Sequence, residues 1–156
     1  ARTDRHVRAG IPGTAAVVSS SEEPKAIETA QQLAAAWGLA VESVAGLHEH
    51  ARPAAQFMSR DRFEERVREM FGGPHDLVFG TEPAEDARRR FTFALMRLVA
   101  RSAGDVVAVS HGTVITLFVA EATGVEPFAF WKGLEMPCAV TLAIPDLALI
   151  GRTAVT

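Results

Sequence analysis

Two short apolar runs in this sequence end in clusters of hydrogen-bonding residues. Val106-Val107-Ala108-Val109 leads into Ser110-His111-Gly112, and Ala15-Ala16-Val17-Val18 leads into Ser19-Ser20-Ser21. A helical pattern follows each run. A histidine at the junction of a buried strand and a helix N-terminus stands beside backbone N–H groups that have no intrahelical partner. It also stands at the positive end of the helix dipole, a place that suits an anion. Gly112 lets a ligand come close. The plainer alternative is a histidine that only bonds a neighbouring carbonyl. At the other junction Ser21 and Lys25 open a second helix. Taken alone, Ser21 is an N-cap and Lys25 a solvated side chain; taken with His111 they describe a concave anion site with three kinds of donor.

Other chemistries find less support. His48-Glu49-His50 puts two imidazoles on one side of an extended chain, and His75-Asp76 adds further ligand types, yet no HExxH or cysteine pair accompanies them. A histidine-rich loop accounts for them as well, and no metal site is expected. Ser110 lacks a G-x-S-x-G elbow and is followed directly by His111, so it cannot readily form a hydrolytic triad. Neither G-x-G-x-x-G nor a lysine-bearing phosphate loop is present, and no cofactor is expected.

The elements that position these residues alternate. The run 15–18 reads as a parallel strand buried on both faces. Ser21 can cap a helix from Pro24 to Trp37, with Ile27, Ala30, Leu33 and Ala34 on one face and Gly38 as its stop. Residues 39–44 read as a second strand, followed by an aperiodic loop. A charged helix spans 59–71 and ends at Gly72-Gly73-Pro74. The longest helix runs from Pro83 to about Ala103, with Ala84, Ala87, Phe91, Ala94, Leu95 and Leu98 sharing a face. A strand at 106–109 and a buried helix at 113–123 follow. Residues 138–144 and 147–150 read as strands joined by a tight turn at Pro145-Asp146. This order predicts an α/β fold, a three-layer α/β/α sandwich on a mainly parallel sheet, with ligands beyond the carboxyl ends of the strands.

At 156 residues, 48% hydrophobic and 22% charged, the chain fits one globular domain, 1–156. No apolar run reaches membrane length, and the first ten residues lack the apolar core of a signal peptide, so a cytoplasmic protein with no membrane partner is expected. The lone cysteine, Cys138, cannot form an internal disulfide and reads as a small buried hydrophobe. A net charge of −3 gives no general attraction to nucleic acid. The one basic cluster, Arg88 to Arg90, spreads around a helix instead of forming one surface. Oligomeric state is left open.

The segment Val17-Val18-Ser19-Ser20-Ser21 through Lys25-Ala26 and Thr29-Ala30 resembles the stretch that follows the second strand of the histidine phosphatase (phosphoglycerate mutase-like) superfamily. There a strand and a serine precede arginine-alanine and threonine-alanine. Leu47-His48-Glu49 resembles the family's Leu-x-Glu loop, and Val106 to Gly112 resembles its later strand ending in Ser-His-Gly. The three motifs fall in the family's order over roughly residues 15–125.

The resemblance implies a phosphomonoester phosphatase or mutase working through a phosphohistidine. In that reading His111 donates to the transferred phosphoryl group and Glu49 is the general acid. Lys25, Ser21, Gly112 and Thr113 bind phosphate, and Glu82 lies near the substrate entrance. The ligand is a small phosphorylated substrate or inorganic phosphate, and no metal is required.

Two departures stand out. Lys25 replaces an arginine, giving a point charge where the family has a planar fork. No apolar strand running into Arg-His-Gly, the family's nucleophile, occurs; Arg5-His6-Val7 is the only echo. The expectation is an upstream segment carrying that histidine, with a gap in the sheet beside Val17 and Val18. The alternative is a non-catalytic phosphate-binding or interaction domain of the same fold. Phe57, Met58, Phe63, Met70 and Phe71 suggest a partly apolar lid over the pocket, although the packing of an ordinary helix explains them as well.

Overall fold

Alanine and valine side chains, which offer water no polar atom, make up most of two strands of the central sheet. The structure, a computed structural model, describes residues 15–52 and 58–154. Strand β1 (Ala15–Ser20) lies between β2 (Val41–Ser43) and β3 (Asp105–Val109), and all three are parallel. Val18 pairs with Val41 on one side and Val107 on the other and is 1% exposed. The expected gap beside Val17 and Val18 is therefore not there: β1 has a partner on each side.

Alternation along β3 sorts its side chains to two layers. Val107 and Val109 pack with Val18, Ala30 and Ala34 under helix α1 (Pro24–Trp37). Val106 and Ala108 pack on the other face, against a core that includes Phe91 and Leu98 of helix α3 (Ala84–Arg101) and Val114 and Phe118 of helix α4 (Gly112–Thr123). The α/β sandwich with a parallel sheet is as the sequence pattern implies.

Helix ends follow their residues. Pro24 sits in the first turn of α1, and Gly38, at φ 67°, returns its N–H to the Ala34 and Ala35 carbonyls. Ser59 caps helix α2 (Arg60–Gly72) by accepting from the Arg62 N–H at 3.3 Å. Helix α3 buries Ala84, Ala87, Phe91, Ala94 and Leu98, the face its spacing marks out. Arg88 and Arg89 pair with Glu85, and Arg90 turns inward to Glu82.

Several expectations need correction. A short helix α5 (Pro127–Lys132) follows α4. Six residues are too few to show a period, and Glu126 secures its start by accepting from Phe128 and Ala129 N–H groups. The C-terminal strands are β4 (Cys138–Leu142) and β5 (Leu149–Ala154), so the connection is longer than the expected tight turn. Leu147 adopts φ 56°, which takes it out of the ladder. Met70 and Phe71 are core residues, 1% and 8% exposed, so they do not form a lid; Phe63 does face a cavity, and Phe57 lies outside the described residues.

Among the described residues the β4–β5 hairpin does not hydrogen-bond to the parallel sheet. A cavity of about 920 Å³ separates β3 from β4, lined by residues 105–113 on one side and residues 136–142 on the other. Cys138 lines it half-buried, and burial pushes its thiol up from the ordinary range. Among the described residues no helix is long and apolar enough to cross a membrane.

Candidate functional site

Parallel register brings the two polar strand ends together. Ser20 lies opposite Val109, and one step further the Ser21 N–H bonds the Val109 carbonyl at 2.9 Å. The next residues of each chain segment must then meet: Ser21 Oγ is 2.7 Å from His111 Nε2, although ninety positions separate them. Both are buried, at 0% and 4% exposure. Ser21 is thus not the N-cap of α1. That position is held by Glu23, whose side chain makes no cap bond to its own helix.

Glu23 instead turns inward. One carboxylate oxygen, Oε2, sits against His111 Nε2 and also accepts the Glu49 backbone N–H at 3.0 Å. A carboxylate only accepts, so His111 carries its proton on Nε2. Burial lowers the His111 pKa below its ordinary 6.5, while the Glu23 and Glu49 carboxylates pull it upward and Lys25 adds to the depression. Lys25, exposed in the first turn of α1, lines the same cavity as His111, Gly112, Thr113 and Glu49.

Glu49 lies where residues 44–51 cross the strand ends. The Val44 N–H bonds the Ser20 carbonyl, and the Ser110 hydroxyl donates to the Leu47 carbonyl at 2.6 Å. The Leu47 side chain is fully buried. With its backbone held this way, Glu49 directs Oε1 to the His50 N–H at 2.8 Å and Oε2 toward the Thr113 N–H at 3.4 Å. A carboxylate thus faces the opening turn of α4, where unpaired N–H groups favour negative charge. At Gly112 an added Cβ would meet only Leu134 and Trp131 at ordinary distances, so the helix start is open to the cavity.

Two arginines that the sequence pattern did not single out complete the surroundings. Arg52 donates to Thr113 Oγ1 at 2.5 Å and lies 3.8 Å from Glu49, its guanidinium 5.2 Å from the centres of both the Phe63 and Phe79 rings. Burial lowers its pKa. Arg90 donates to the carbonyls of Gly46, His48 and Glu49 and to the Glu82 carboxylate. No local motif marks either residue, since each acts on segments distant in sequence or beyond a turn.

Glu82 does not line the cavity with His111. It accepts from Arg90 and from the Ala51 N–H at 2.8 Å; burial works against its charge, but those bonds outweigh it and keep the carboxyl below its ordinary range. His50, 2% exposed, donates through Nε2 to the Glu82 carbonyl and accepts the Arg52 Nε–H on Nδ1, and burial lowers its pKa. Among the described residues no group of three metal-ligating side chains comes together. His6 lies outside the described residues.

This arrangement offers an imidazole N–H, a serine hydroxyl, backbone N–H groups, a lysine and a partly buried arginine to one concave site, with the Glu23 and Glu49 carboxylates beside them. Comparison with known proteins identifies the family of the chain. The family model described as histidine phosphatase superfamily (branch 1) matches residues 6–146. A search of curated proteins finds no match.

Among solved structures, the phosphate complex of mycobacterial glucosyl-3-phosphoglycerate phosphatase Rv2419c is 20% identical, with TM-score 0.58 over 76% of this chain and 64% of that one. Bacillus stearothermophilus YhfR is 19% identical, with TM-score 0.65 over 99% of this chain and 78% of that one. "Mycobacterial hydrolase 2" is 18% identical, with TM-score 0.67 over 91% and 72%. At these identities the likeness is one of fold. The chain spans 63–64% of the length of the mycobacterial phosphatase structures and of "Mycobacterial hydrolase 1".

Proposed function

Because the chain belongs to branch 1 of the histidine phosphatase superfamily, we propose that its pocket handles the phosphoryl group of a small phosphomonoester. The observation that carries this reading is the placement of the His111 N–H, beside Ser21 Oγ and at the start of α4, with a carboxylate already seated on it. Donors that hold one oxyanion are suited to hold another.

In this reading His111, Ser21, Lys25 and the backbone at Gly112 and Thr113 hold the phosphoryl oxygens, and Arg52 adds a second positive charge beside Thr113. Glu49 gives its proton to the leaving oxygen as a histidine nitrogen attacks phosphorus and the ester bond breaks. Water then attacks the phosphohistidine, with Glu49 taking the proton back. The resemblance assigns the nucleophile to an Arg-His-Gly segment, which the described residues do not contain, while His111 serves as donor. The activity is that of a phosphatase or mutase of the complete protein.

The test is to titrate the chain with inorganic phosphate by calorimetry, and to incubate it with a labelled phosphomonoester, quench in base and map any phosphohistidine. Turnover with label on a histidine supports the enzymatic reading. Phosphate binding without turnover or label supports a non-catalytic phosphate-binding domain of the same fold. Absence of binding, label and turnover rejects the phosphate site.

A further inference from the structure

The N-cap of α1 is an unusual place for Glu23. Short side chains such as serine or aspartate usually cap a helix by reaching back to its second or third N–H. The Glu23 carboxylate reaches away from its own helix, although at 38% exposure it has solvent close by. It holds the His111 N–H, a donor the phosphate site uses, and the Glu49 backbone N–H, and its own backbone N–H lies 3.4 Å from Ser21 Oγ. A second carboxylate, Glu49, stands within electrostatic reach of the same imidazole. Two like charges around one ring are costly unless each has donors of its own, and here each does: Glu23 on Glu49 N–H and His111, Glu49 on His50 N–H and toward Thr113 N–H.

We propose that Glu23 is the resident anion of this pocket, so that phosphate binds His111 by displacing the Glu23 carboxylate, and Glu23 thereby sets how tightly phosphate is held and how readily it leaves. The proposal rests on the phosphate-site reading above. A tethered competitor lowers apparent affinity by the fraction of molecules in which it is unseated. After bond cleavage the same carboxylate returns to the His111 and Glu49 N–H groups and helps expel inorganic phosphate. The site is thereby tuned against retaining its product, while an ester is held by contacts to the rest of the molecule as well.

Inorganic phosphate affinity, measured by calorimetry on the wild-type chain and on Glu23→Gln, Glu23→Ala and His111→Ala, tests this, with thermal unfolding to establish that each variant is folded. The expected result is binding about tenfold tighter or more in both Glu23 variants and weaker in His111→Ala. A side chain with a merely structural role would not raise affinity when removed. Equal or weaker binding in both Glu23 variants, with wild-type binding intact, overturns the role of Glu23 and leaves the phosphate site standing. No binding in any folded variant overturns both.

Discussion

The guanidinium of Arg90 meets the carboxylate of Glu82 through two hydrogen bonds, 2.5 Å to Oε1 and 3.2 Å to Oε2, and spends its remaining donors on the backbone that carries Glu49. The pair is about four-fifths buried. It fixes where the loop lies over the strand ends, and through that loop the position of the Glu49 side chain. Arg90→Met should cost about 3 kcal/mol, because Glu82 and three carbonyls lose their donor together. Arg90→Lys should recover only part of this, since a point charge cannot reach all four acceptors. Urea unfolding measures both. Wild-type stability in Arg90→Met would show that the clamp contributes nothing.

Gly80 is the second brace of the same loop. At φ 91° an added Cβ would come within 2.2 Å of the Ala51 carbonyl oxygen and 2.8 Å of His50 Cε1. The Thr81 N–H bonds that same carbonyl at 2.8 Å, so the backbone there cannot retreat without losing the bond. Gly80→Ala is expected to lower stability by about 3 kcal/mol or more, and the drop in melting temperature would report it.

Buried imidazoles give the protein a defined pH response. The pKa values of His50 and His111 are both lowered by burial from the ordinary 6.5, so in mildly acid solution the unfolded chain binds more protons than the folded one. Stability therefore falls as pH drops below about 6.5 and is unaffected by these groups above it. Glu82, held below its ordinary 4.5, contributes stability that is lost only at lower pH, and does not blur that window. Unfolding free energies measured at pH values of about 7.5, 6.5 and 5.5 should decline in that order, and His50→Gln should flatten the slope. A flat profile in the wild type would contradict the burial of both rings.

Thr116, on the inner face of α4, is fully buried, and among the described residues its hydroxyl has no hydrogen-bond partner. Thr116→Val replaces that hydroxyl with a methyl group of similar size. Stability should be unchanged or higher by up to about 1 kcal/mol. A loss of that size in chemical denaturation would reveal a partner for the hydroxyl.

The sequence made legible what short-range pattern determines. The strands that end at Ser20 and Val109 and the helices with one apolar stripe follow from local order, whereas the Leu47-His48-Glu49 loop stands out only through the family resemblance. Nothing local marks Glu23, an acidic residue before a proline; only the parallel register, which sets Ser21 beside His111, shows where its carboxylate goes. Arg90 was read as one of three arginines spread around a helix. Its inward role depends on a loop forty-odd positions earlier, and no periodicity carries that information. Glu82 was expected near the entrance, yet the clamp with Arg90 holds it against Ala51. Met70 and Phe71 suit a lid or the packed face of an ordinary helix equally well, and the structure gives the second: the helix presents one face to solvent and the other to the core, and spacing alone does not say what lies across from it.

The space between β3 and β4 has a consequence for exchange with solvent. In a parallel strand, successive N–H groups point alternately to the two sides. Those of β3 that face β1 are sealed in its ladder; among the described residues, those that face the cavity meet no strand. Deuterium uptake should therefore alternate along residues 105–109, slow at one amide and fast at the next, while β1, flanked on both sides, exchanges slowly throughout.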